Sequence, residues 1–190
     1  MNKTFLTLFF IILSTNLYAS NIKKVYFAGG CFWCMEESFD KVEGVIETIS
    51  GYSGGHVKNP KYKDVVKNTT GHYETLEITY DPSITNFEKL LEIFWVNIDP
   101  FDADGQFCDK GESYKSVVFY ENSDQKKIIE TSIKNIENKF NKKVVTYVKN
   151  FKEFYMAETY HQDYYEKNFI RYLMYKKGCQ REEILNKIWG

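Results

Sequence analysis

The chain has 190 residues, which is enough for one domain with a real core and too short for two comfortable ones. Apolar residues make up 43% of it, a share typical of a folded protein and not of a disordered one. The net charge is −1 with no long basic or acidic block, so electrostatics gives no case for nucleic acid or an anionic membrane as a partner.

The first twenty residues differ from the rest of the chain. Lys3 precedes a short apolar stretch at residues 5–13, and the small residues Ala19 and Ser20 follow. This pattern is typical of a secretory signal peptide, because the apolar stretch is too short to span a bilayer comfortably; a retained anchor helix is the alternative. We therefore predict a signal peptide at residues 1–20 and one exported domain at 21–190, periplasmic or extracellular, with no stable membrane association after cleavage.

Hydrophobic periodicity predicts alternating strands and helices after residue 21. The predicted strands are residues 24–28, 45–52, 72–80, 116–120 and 144–148. The predicted helices are residues 31–42, 86–97, 125–140 and a further one around 160–172, with a long loop from 52 to 71 and a tail of mixed signals at 168–190. Two βαβ units in this order predict an α+β fold, a ferredoxin-like α/β plait whose mixed sheet is covered by helices, followed by a long irregular C-terminal region.

Cys31 follows two glycines where a predicted strand ends and a helix begins. Helix N-termini present free N–H groups and a partial positive charge, which favour a thiolate and lower the pKa of a cysteine. The glycines allow a sharp turn that leaves the sulfur accessible. This placement favours a nucleophile, and a buried structural cysteine is the alternative.

Three other cysteines accompany it, namely Cys34, Cys108 and Cys179. Cys34 lies on the neighbouring helical position, so a small adjustment would let its sulfur bond to that of Cys31 as a redox pair. An even number of cysteines in an exported protein also permits two structural bridges. Zinc is disfavoured, because the other two cysteines are isolated and no two histidines are spaced as a ligand pair; we predict no metal.

Glu74 lies in the predicted strand at 72–80, on the face that alternation assigns to Leu76 and Ile78. A carboxyl that faces a core has a raised pKa and can act as a general acid near neutral pH. The alternative is a solvated carboxylate at the exposed end of the strand.

Gly-Cys-Phe-Trp at residues 30–33 resembles the signature of the A-type peptide methionine sulfoxide reductases. The resemblance continues in the family's order over residues 24–170, through the glycine-rich run at 50–55, Gly-His-Tyr-Glu at 71–74, the run 105–111 with Tyr114 and Ser116, and residues 154–155 and 160–164. Several ordered motifs across a domain are far more specific than one cysteine-containing run.

The resemblance implies a role for each matching residue. Cys31 attacks the sulfoxide sulfur, Glu74 protonates the oxygen, and Tyr62 and Tyr114 hydrogen-bond that oxygen. Four further matches are implied to bind the substrate or support the site, namely Phe32, Trp33, Asp109 and His161. Phe32 and Trp33 would form an apolar wall for the substrate methyl group, an environment that suits it.

The implied reaction reduces methionine (S)-S-oxide, free or in proteins, to methionine and leaves Cys31 as a sulfenic acid. A second thiol condenses with it to a disulfide, which a thioredoxin-like protein reduces. The resemblance therefore implies protein repair without a metal or organic cofactor. Nothing in the sequence favours an oligomer, and a monomer is the default expectation.

The identity of the second thiol stays open between Cys34 and Cys179. Many relatives use a cysteine in a flexible C-terminal tail, where this chain has Cys179 after Gly178. Closing a long loop costs entropy, so proximity favours Cys34, although the geometry inside a regular helix opposes it. Cys108, beside Asp109, ranks last.

Two other functions compete with this one. An exported thioredoxin-like thiol-disulfide oxidoreductase would use Cys31 and Cys34, but no proline lies between them and the order of elements differs from that fold. A non-enzymatic exported domain with structural disulfides would leave the placement of Glu74 and the turn at Gly30 unexplained.

Overall fold

A mixed six-stranded sheet forms the centre of the computed structural model, which describes residues 21–190. The predicted signal peptide at 1–20 lies outside the described residues. The strands in chain order are β1 (Lys23–Ala28), β2 (Val45–Ser53), β3 (Tyr73–Tyr80), β4 (Gly105–Gln106), β5 (Asp109–Lys110), β6 (Val117–Tyr120), β7 (Tyr147–Asn150) and β8 (Phe154–Met156). Strands β4 and β5 pair only with each other, as a small separate hairpin.

The strand order in the large sheet is β7-β6-β1-β3-β2-β8. All neighbours are antiparallel except β6 and β7, which are parallel, so the sheet is mixed. The middle four strands, β6-β1-β3-β2, have the order of a ferredoxin-like plait, with β1 and β2 on either side of β3. The predicted α+β class and its mixed sheet are confirmed.

The helices are α1 (Phe32–Asp40), α2 (Tyr62–Val65), α3 (Phe87–Val96), α4 (Ser123–Phe140), α5 (Tyr164–Lys167), α6 (Phe169–Gly178) and α7 (Arg181–Trp189). Short 3₁₀ turns lie at Glu112–Tyr114 and Thr159–His161. The start of α3 is fixed by Asn86, whose side chain accepts a hydrogen bond from Lys89 N at 2.8 Å. Asn122 caps α4 in the same way, so an asparagine cap precedes each of these two helices.

The main core lies between one face of the sheet and the helices α1, α3 and α4. Alternation turns Phe27 on β1 and Leu76 on β3 to this face, where they meet Phe39 and Phe94 at 0% exposure. The opposite face carries a smaller aromatic cluster, in which Tyr26 stacks on Phe151 with ring centroids 3.7 Å apart. Both faces of the sheet are therefore covered, so residues at the ends of β1 and β3 lie in the interior.

The C-terminal region is helical, so its expected irregularity was wrong. Residues 164–189 form α5, α6 and α7. The backbone is left-handed before α5, at Asp163, and between α6 and α7, at Gln180, both with φ 54°. The helices are short, and α6 exposes Phe169, Ile170 and Met174 while it buries Tyr172. Apolar residues on both faces of short helices obscure the 3.6-residue period on which prediction depends.

Two edge strands also differ from expectation. Strand β7 begins at Tyr147, three residues after the predicted start, and β8 was not predicted because three residues give too little alternation to recognise. Among the helices of the described residues, none combines the length and apolar character needed to cross a bilayer.

Gly30 makes the turn from β1 into α1. Its φ is +80°, and a Cβ atom added there would lie 2.6 Å from Gln106 Cβ. Gln106 is held in place, because its side chain accepts from Asp99 N and donates to Asp99 O, both at 2.8 Å. Only glycine fits this turn without displacing the hairpin that contains Gln106.

We expect Gly30→Ala to lower the free energy of unfolding by about 1–3 kcal/mol, through the positive φ and the clash. Gly178→Ala is the matched control, since a Cβ there meets nothing within 4 Å, and it should change stability by less than about 1 kcal/mol. Urea unfolding followed by circular dichroism measures both, and equal midpoints for the two variants would contradict the assignment.

Candidate active site

Cys31 lies at the turn between β1 and α1, as predicted, and precedes the first helical residue, Phe32. Its carbonyl accepts the first hydrogen bonds of the helix, from Cys34 N at 3.1 Å and Met35 N at 3.3 Å. The side chain is buried, with 5% exposure. The sulfur is therefore less accessible than the glycine turn alone suggests.

Cys31 and Cys34 form a hydrogen-bonded thiol pair inside the protein. Burial raises the pKa of Cys31 well above its ordinary value, so the expected lowering by the helix N-terminus does not dominate here. The hydrogen bond from Cys31, together with the Arg181 charge and a hydrogen bond to Tyr172, lowers the pKa of Cys34. Within the pair, burial thus disfavours the thiolate at Cys31, while the neighbouring donors and the Arg181 charge favour it at Cys34.

Glu74 lies on β3 beside the start of α1. Its carboxyl accepts a hydrogen bond from Phe32 N at 3.1 Å, which places it next to the residue that follows Cys31. The side chain is only 2% exposed, and burial raises its pKa well above the usual range. Burial therefore favours the neutral carboxylic acid of Glu74, which lies on the face of β3 that alternation predicts.

Tyr62 and Tyr114 meet close to Glu74 although they lie far apart in the sequence. Their hydroxyls hydrogen-bond to each other, and Tyr114 also hydrogen-bonds to Glu74. Burial raises the pKa of Tyr62 to about 12, and the pKa of Tyr114 is raised further by burial and the neighbouring carboxyl. Both phenols remain protonated donors at any physiological pH.

Phe32, Trp33 and His161 form an aromatic wall with Tyr62. Phe32 is 1% exposed, and its ring centroid lies 5.0 Å from that of His161 and 6.5 Å from that of Tyr62. The indole Nε1–H of Trp33 donates to His161 Nδ1 at 3.2 Å, so the imidazole carries its own proton on Nε2. Burial lowers the pKa of His161 to about 4, which keeps the ring neutral and suited to an apolar wall.

Asp109 lies on β5, where its carboxylate accepts a hydrogen bond from the Tyr175 hydroxyl on α6. Burial raises its pKa, although Tyr175, Arg181 and Lys110 oppose that rise. Its charge acts on both Cys31 and Glu74, so Asp109 belongs to the same site. The structure thus brings together the predicted site residues, with Cys179 beside Asp109.

Cys179 is joined to Cys108 by a disulfide that spans 71 residues of sequence. Cys108, which the sequence ranks last among the cysteines, is therefore the partner of Cys179, while Cys31 and Cys34 are free. Sequence spacing could not reveal this pairing, since the hairpin β4–β5 and the end of α6 meet only through the fold.

Two polar residues that support the site were not predicted. Glu158 accepts from Tyr62 N at 3.0 Å and from the Tyr52 hydroxyl at 2.8 Å, which fixes the short helix carrying Tyr62. Gln162 bonds to both the N–H and the carbonyl of Ser50 at 2.9 Å and so ties the segment of His161 to β2. Their signal in the sequence is only their position, since Gln162 lies within the matching run 160–164 and Glu158 lies between that run and residues 154–155.

A buried thiol pair, a neutral carboxylic acid, two phenols and an aromatic wall on an α+β plait define a thiol-based oxidoreductase. A family model described as peptide methionine sulfoxide reductase matches residues 23–190. The chain belongs to the peptide methionine sulfoxide reductase family, as its motifs suggest, and is an enzyme that reduces methionine sulfoxide.

Relatives and solved structures agree with this assignment. The chain is 47% identical over 165 residues to peptide methionine sulfoxide reductase MsrA 2 of Staphylococcus aureus, covering 86% of this chain and 93% of the relative. It is 48% identical over 166 residues to MsrA of Bacillus licheniformis, covering 86% and 92%. Reduced Mxr1 of Saccharomyces cerevisiae superposes with a TM-score of 0.72 at 29% identity, covering 77% of this chain and 86% of that one. Methionine sulfoxide reductase A of Corynebacterium diphtheriae gives 0.71 at 28%, covering 77% and 75%.

These matches do not favour the two competing functions. Neither a thioredoxin-like oxidoreductase nor a non-enzymatic domain would explain why the family model matches residues 23–190.

Proposed function

We propose that Cys31 is the nucleophile of this reductase and that Glu74 is its general acid. The observation that carries the proposal is the hydrogen bond from Phe32 N to the Glu74 carboxyl, which holds a protonated acid next to Cys31. Reducing a sulfoxide requires the oxygen to leave sulfur, and a proton on that oxygen makes the S–O bond easier to break. The buried carboxyl has the protonation state that this step needs.

In the first step the Cys31 sulfur attacks the sulfoxide sulfur while Glu74 protonates the oxygen. The oxygen passes to Cys31, which becomes a sulfenic acid, and methionine leaves. Tyr62 and Tyr114 are protonated donors beside Glu74, placed to hydrogen-bond the same oxygen. The family resemblance implies the S epimer as substrate, either free or within a protein.

The aromatic wall accepts the methyl group of the substrate. Phe32, Trp33 and Tyr62 offer apolar ring surface, and neutral His161 adds no charge to it. Asp109 lies at the edge of the site with a carboxylate that accepts a hydroxyl hydrogen bond, and it can accept an N–H of the substrate backbone in the same manner.

Cys34 resolves the sulfenic acid in the second step. Its sulfur is already hydrogen-bonded to that of Cys31, and its pKa is lowered. The Cys34 sulfur attacks the Cys31 sulfur, water leaves, and a Cys31–Cys34 disulfide forms. A thioredoxin-like dithiol protein then returns both cysteines to thiols and is itself oxidised, so the cycle needs no bound cofactor.

Glu74→Gln should lower kcat/KM for methionine sulfoxide about a hundredfold or more, because an amide cannot supply the proton. Wild-type activity should fall as pH rises through the raised pKa of Glu74, and this limb of the pH profile should vanish in the variant. The readout is methionine formed from S-methionine sulfoxide with dithiothreitol, with the R epimer as a substrate control.

Glu77→Gln is the matched control for that variant. Glu77 lies on the same strand but on the opposite face, in an ion pair with Lys24 at 2.6 Å. Glu77 is buried like Glu74 but lies on the opposite face of β3, so its loss should leave kcat/KM within about twofold. Equal losses in the two variants would mean that Glu74 acts on the fold and not on the chemistry.

One turnover without reductant should leave a Cys31–Cys34 disulfide, because these two sulfurs are neighbours. Peptide mapping by mass spectrometry identifies the bridge. In Cys34→Ser, one methionine should still form, and Cys31 should remain a sulfenic acid that dimedone traps. A Cys31–Cys179 bridge in the wild-type protein would sink the assignment of Cys34.

The mature enzyme is proposed to act as an exported monomer in the periplasm or outside the cell. The support is the signal-like pattern of residues 1–20 and the fact that one chain supplies every candidate site residue. Expression of the full chain followed by N-terminal sequencing of the secreted protein should place the cut near Ala19. A product that begins at Met1 and stays with the membrane fraction would contradict this.

A further inference from the structure

The C-terminal helices cover the site where the substrate must bind. Tyr164 stacks on Trp33 with ring centroids 3.8 Å apart, and Tyr175 meets the same indole edge-on at 5.9 Å. Beneath this cover Cys31 is 5% exposed and Glu74 is 2% exposed. A sulfoxide sulfur cannot touch the Cys31 sulfur unless some part of the cover moves.

Two links hold α6 on the side of Asp109. The Tyr175 hydroxyl donates to the Asp109 carboxylate, and Cys179 is bonded to Cys108, the residue before Asp109. The two cysteine sulfurs and an Asp109 carboxylate oxygen lie within 4.8 Å of one another. Tyr175 and Cys179 are one helical turn apart, with Cys179 N donating to Tyr175 O at 3.0 Å, so both links leave the same face of the helix.

The same face of α6 is also held on α1. Tyr172 and Lys176 donate to the Glu37 carboxylate at 2.6 and 2.9 Å, and with Tyr175 and Cys179 they follow the i, i+3, i+4, i+7 spacing of one helix face. Helix α7 is docked separately, through Trp189 Nε1 on Ile98 O at 3.0 Å. The left-handed residues Asp163 and Gln180 bracket the covering segment between these anchors. These anchors do not depend on the disulfide, so its reduction would loosen the contact of Tyr175 with Asp109 without releasing the whole tail.

The two cysteine pairs differ in their access to solvent. Cys108 is exposed, whereas Cys31 and Cys34 are 5% and 2% exposed. A thiol reductant in solution consequently meets the Cys108 sulfur before it can meet either buried sulfur.

We propose that Cys108 and Cys179 form a second redox site, whose disulfide latches Tyr175 over Asp109 and whose reduction opens the substrate entrance. The dithiol reductant that the enzyme already requires attacks Cys108, and Cys179 leaves as a thiolate that takes a proton. The second thiol of the reductant then attacks the mixed disulfide, which frees Cys108 as a thiol and leaves the reductant as an internal disulfide. Two electrons and two protons from the reductant thus open one latch. This inference rests on the proposed function, since it takes Asp109 and Cys31 as the place where the substrate binds.

The closed latch makes the tail compete with the substrate for Asp109. Tyr175 takes one acceptor site of the carboxylate that the substrate backbone would use. Tethering by the disulfide raises the effective concentration of Tyr175 at Asp109, and reduction removes that advantage without removing the hydrogen bond. The enzyme is thereby closed when reductant is scarce and open when reductant is present.

The test compares four forms of the full mature chain, after reductant has been removed by desalting. They are the wild type with Cys108–Cys179 bonded and the other thiols free, the fully reduced wild type, Cys108→Ser/Cys179→Ser, and Tyr175→Phe with the disulfide intact. The first readout is the rate at which the first methionine forms from N-acetyl-methionine-S-sulfoxide. The second is the rate of iodoacetamide alkylation at Cys31 and Cys34, resolved by peptide mapping.

Both rates should be about tenfold higher in the reduced wild type and the double variant than in the bonded form. Tyr175→Phe should show a smaller increase with its disulfide intact. The reduced wild type carries no substitution, so a double variant that fails to fold would not remove the comparison. Equal rates of alkylation and of first turnover in the bonded and reduced wild type would overturn the latch.

Failure of the catalytic assignment would look different. If Cys31→Ser still made methionine, the proposed nucleophile would be wrong, yet alkylation of Cys34 would still report whether reduction opens the cover. Slower turnover in the reduced wild type than in the bonded form would show the disulfide to be a structural staple and would also overturn the latch.

Discussion

The hydrogen bond from the Phe32 backbone N–H to the Glu74 carboxyl is the constraint on which the site depends. It joins the first turn of α1 to the second residue of β3, and so fixes the Glu74 carboxyl relative to Cys31, the residue before Phe32. It also uses a backbone donor that a helix N-terminus leaves unpaired, which makes the burial of a polar carboxyl tolerable. Gly30 enables it, because only the sharp turn braced by Gln106 brings α1 to β3 at this point.

That hydrogen bond alters how the helix N-terminus acts. A free helix N-terminus would stabilise a thiolate at Cys31, but here its leading N–H group is directed at Glu74 and burial outweighs what remains. The charge moves instead to Cys34, which Arg181 and Tyr172 stabilise. A neutral acid and a neutral nucleophile can share a small apolar volume, whereas a carboxylate and a thiolate there would repel each other.

Elements with a strong local pattern could be predicted from the sequence, and those held by distant partners could not. The alternation of β3 assigned Glu74 to the core face, and the helical spacing of apolar residues gave α3. Strand β8 is three residues long and exists because β2 offers it an edge, which no local period reveals. The family motifs supplied Tyr62, Tyr114 and Asp109, whose meeting point depends on contacts across the fold.

The tail shows the same limit in its covalent chemistry. If the tail is expected to be irregular, Cys179 is predicted to be a flexible resolving thiol. The choice between Cys179 and Cys34 then depends only on proximity to Cys31. Once α6 and α7 are helices docked on α1 and on Ile98, Cys179 has a fixed position, and Cys108 is the sulfur beside it. The pairing is a consequence of tertiary packing around Asp109, so a prediction from spacing could not have contained it.

Burial of the Cys31 thiol protects the sulfur from oxidation but also restricts the access of substrate to it. Thiolates that are exposed are oxidised beyond the sulfenic acid to sulfinic and sulfonic acids, which a dithiol cannot reverse. Burial of Cys31 slows that loss, and in the proposed cycle Cys34 captures the sulfenic acid before a second oxidant arrives. The same burial closes the site to methionine sulfoxide, whose sulfur has to touch Cys31. A methionine sulfoxide reductase with so deeply buried a thiol meets both demands only if its cover can move, which is why the contacts of α6 matter as much to its activity as the residues beneath them.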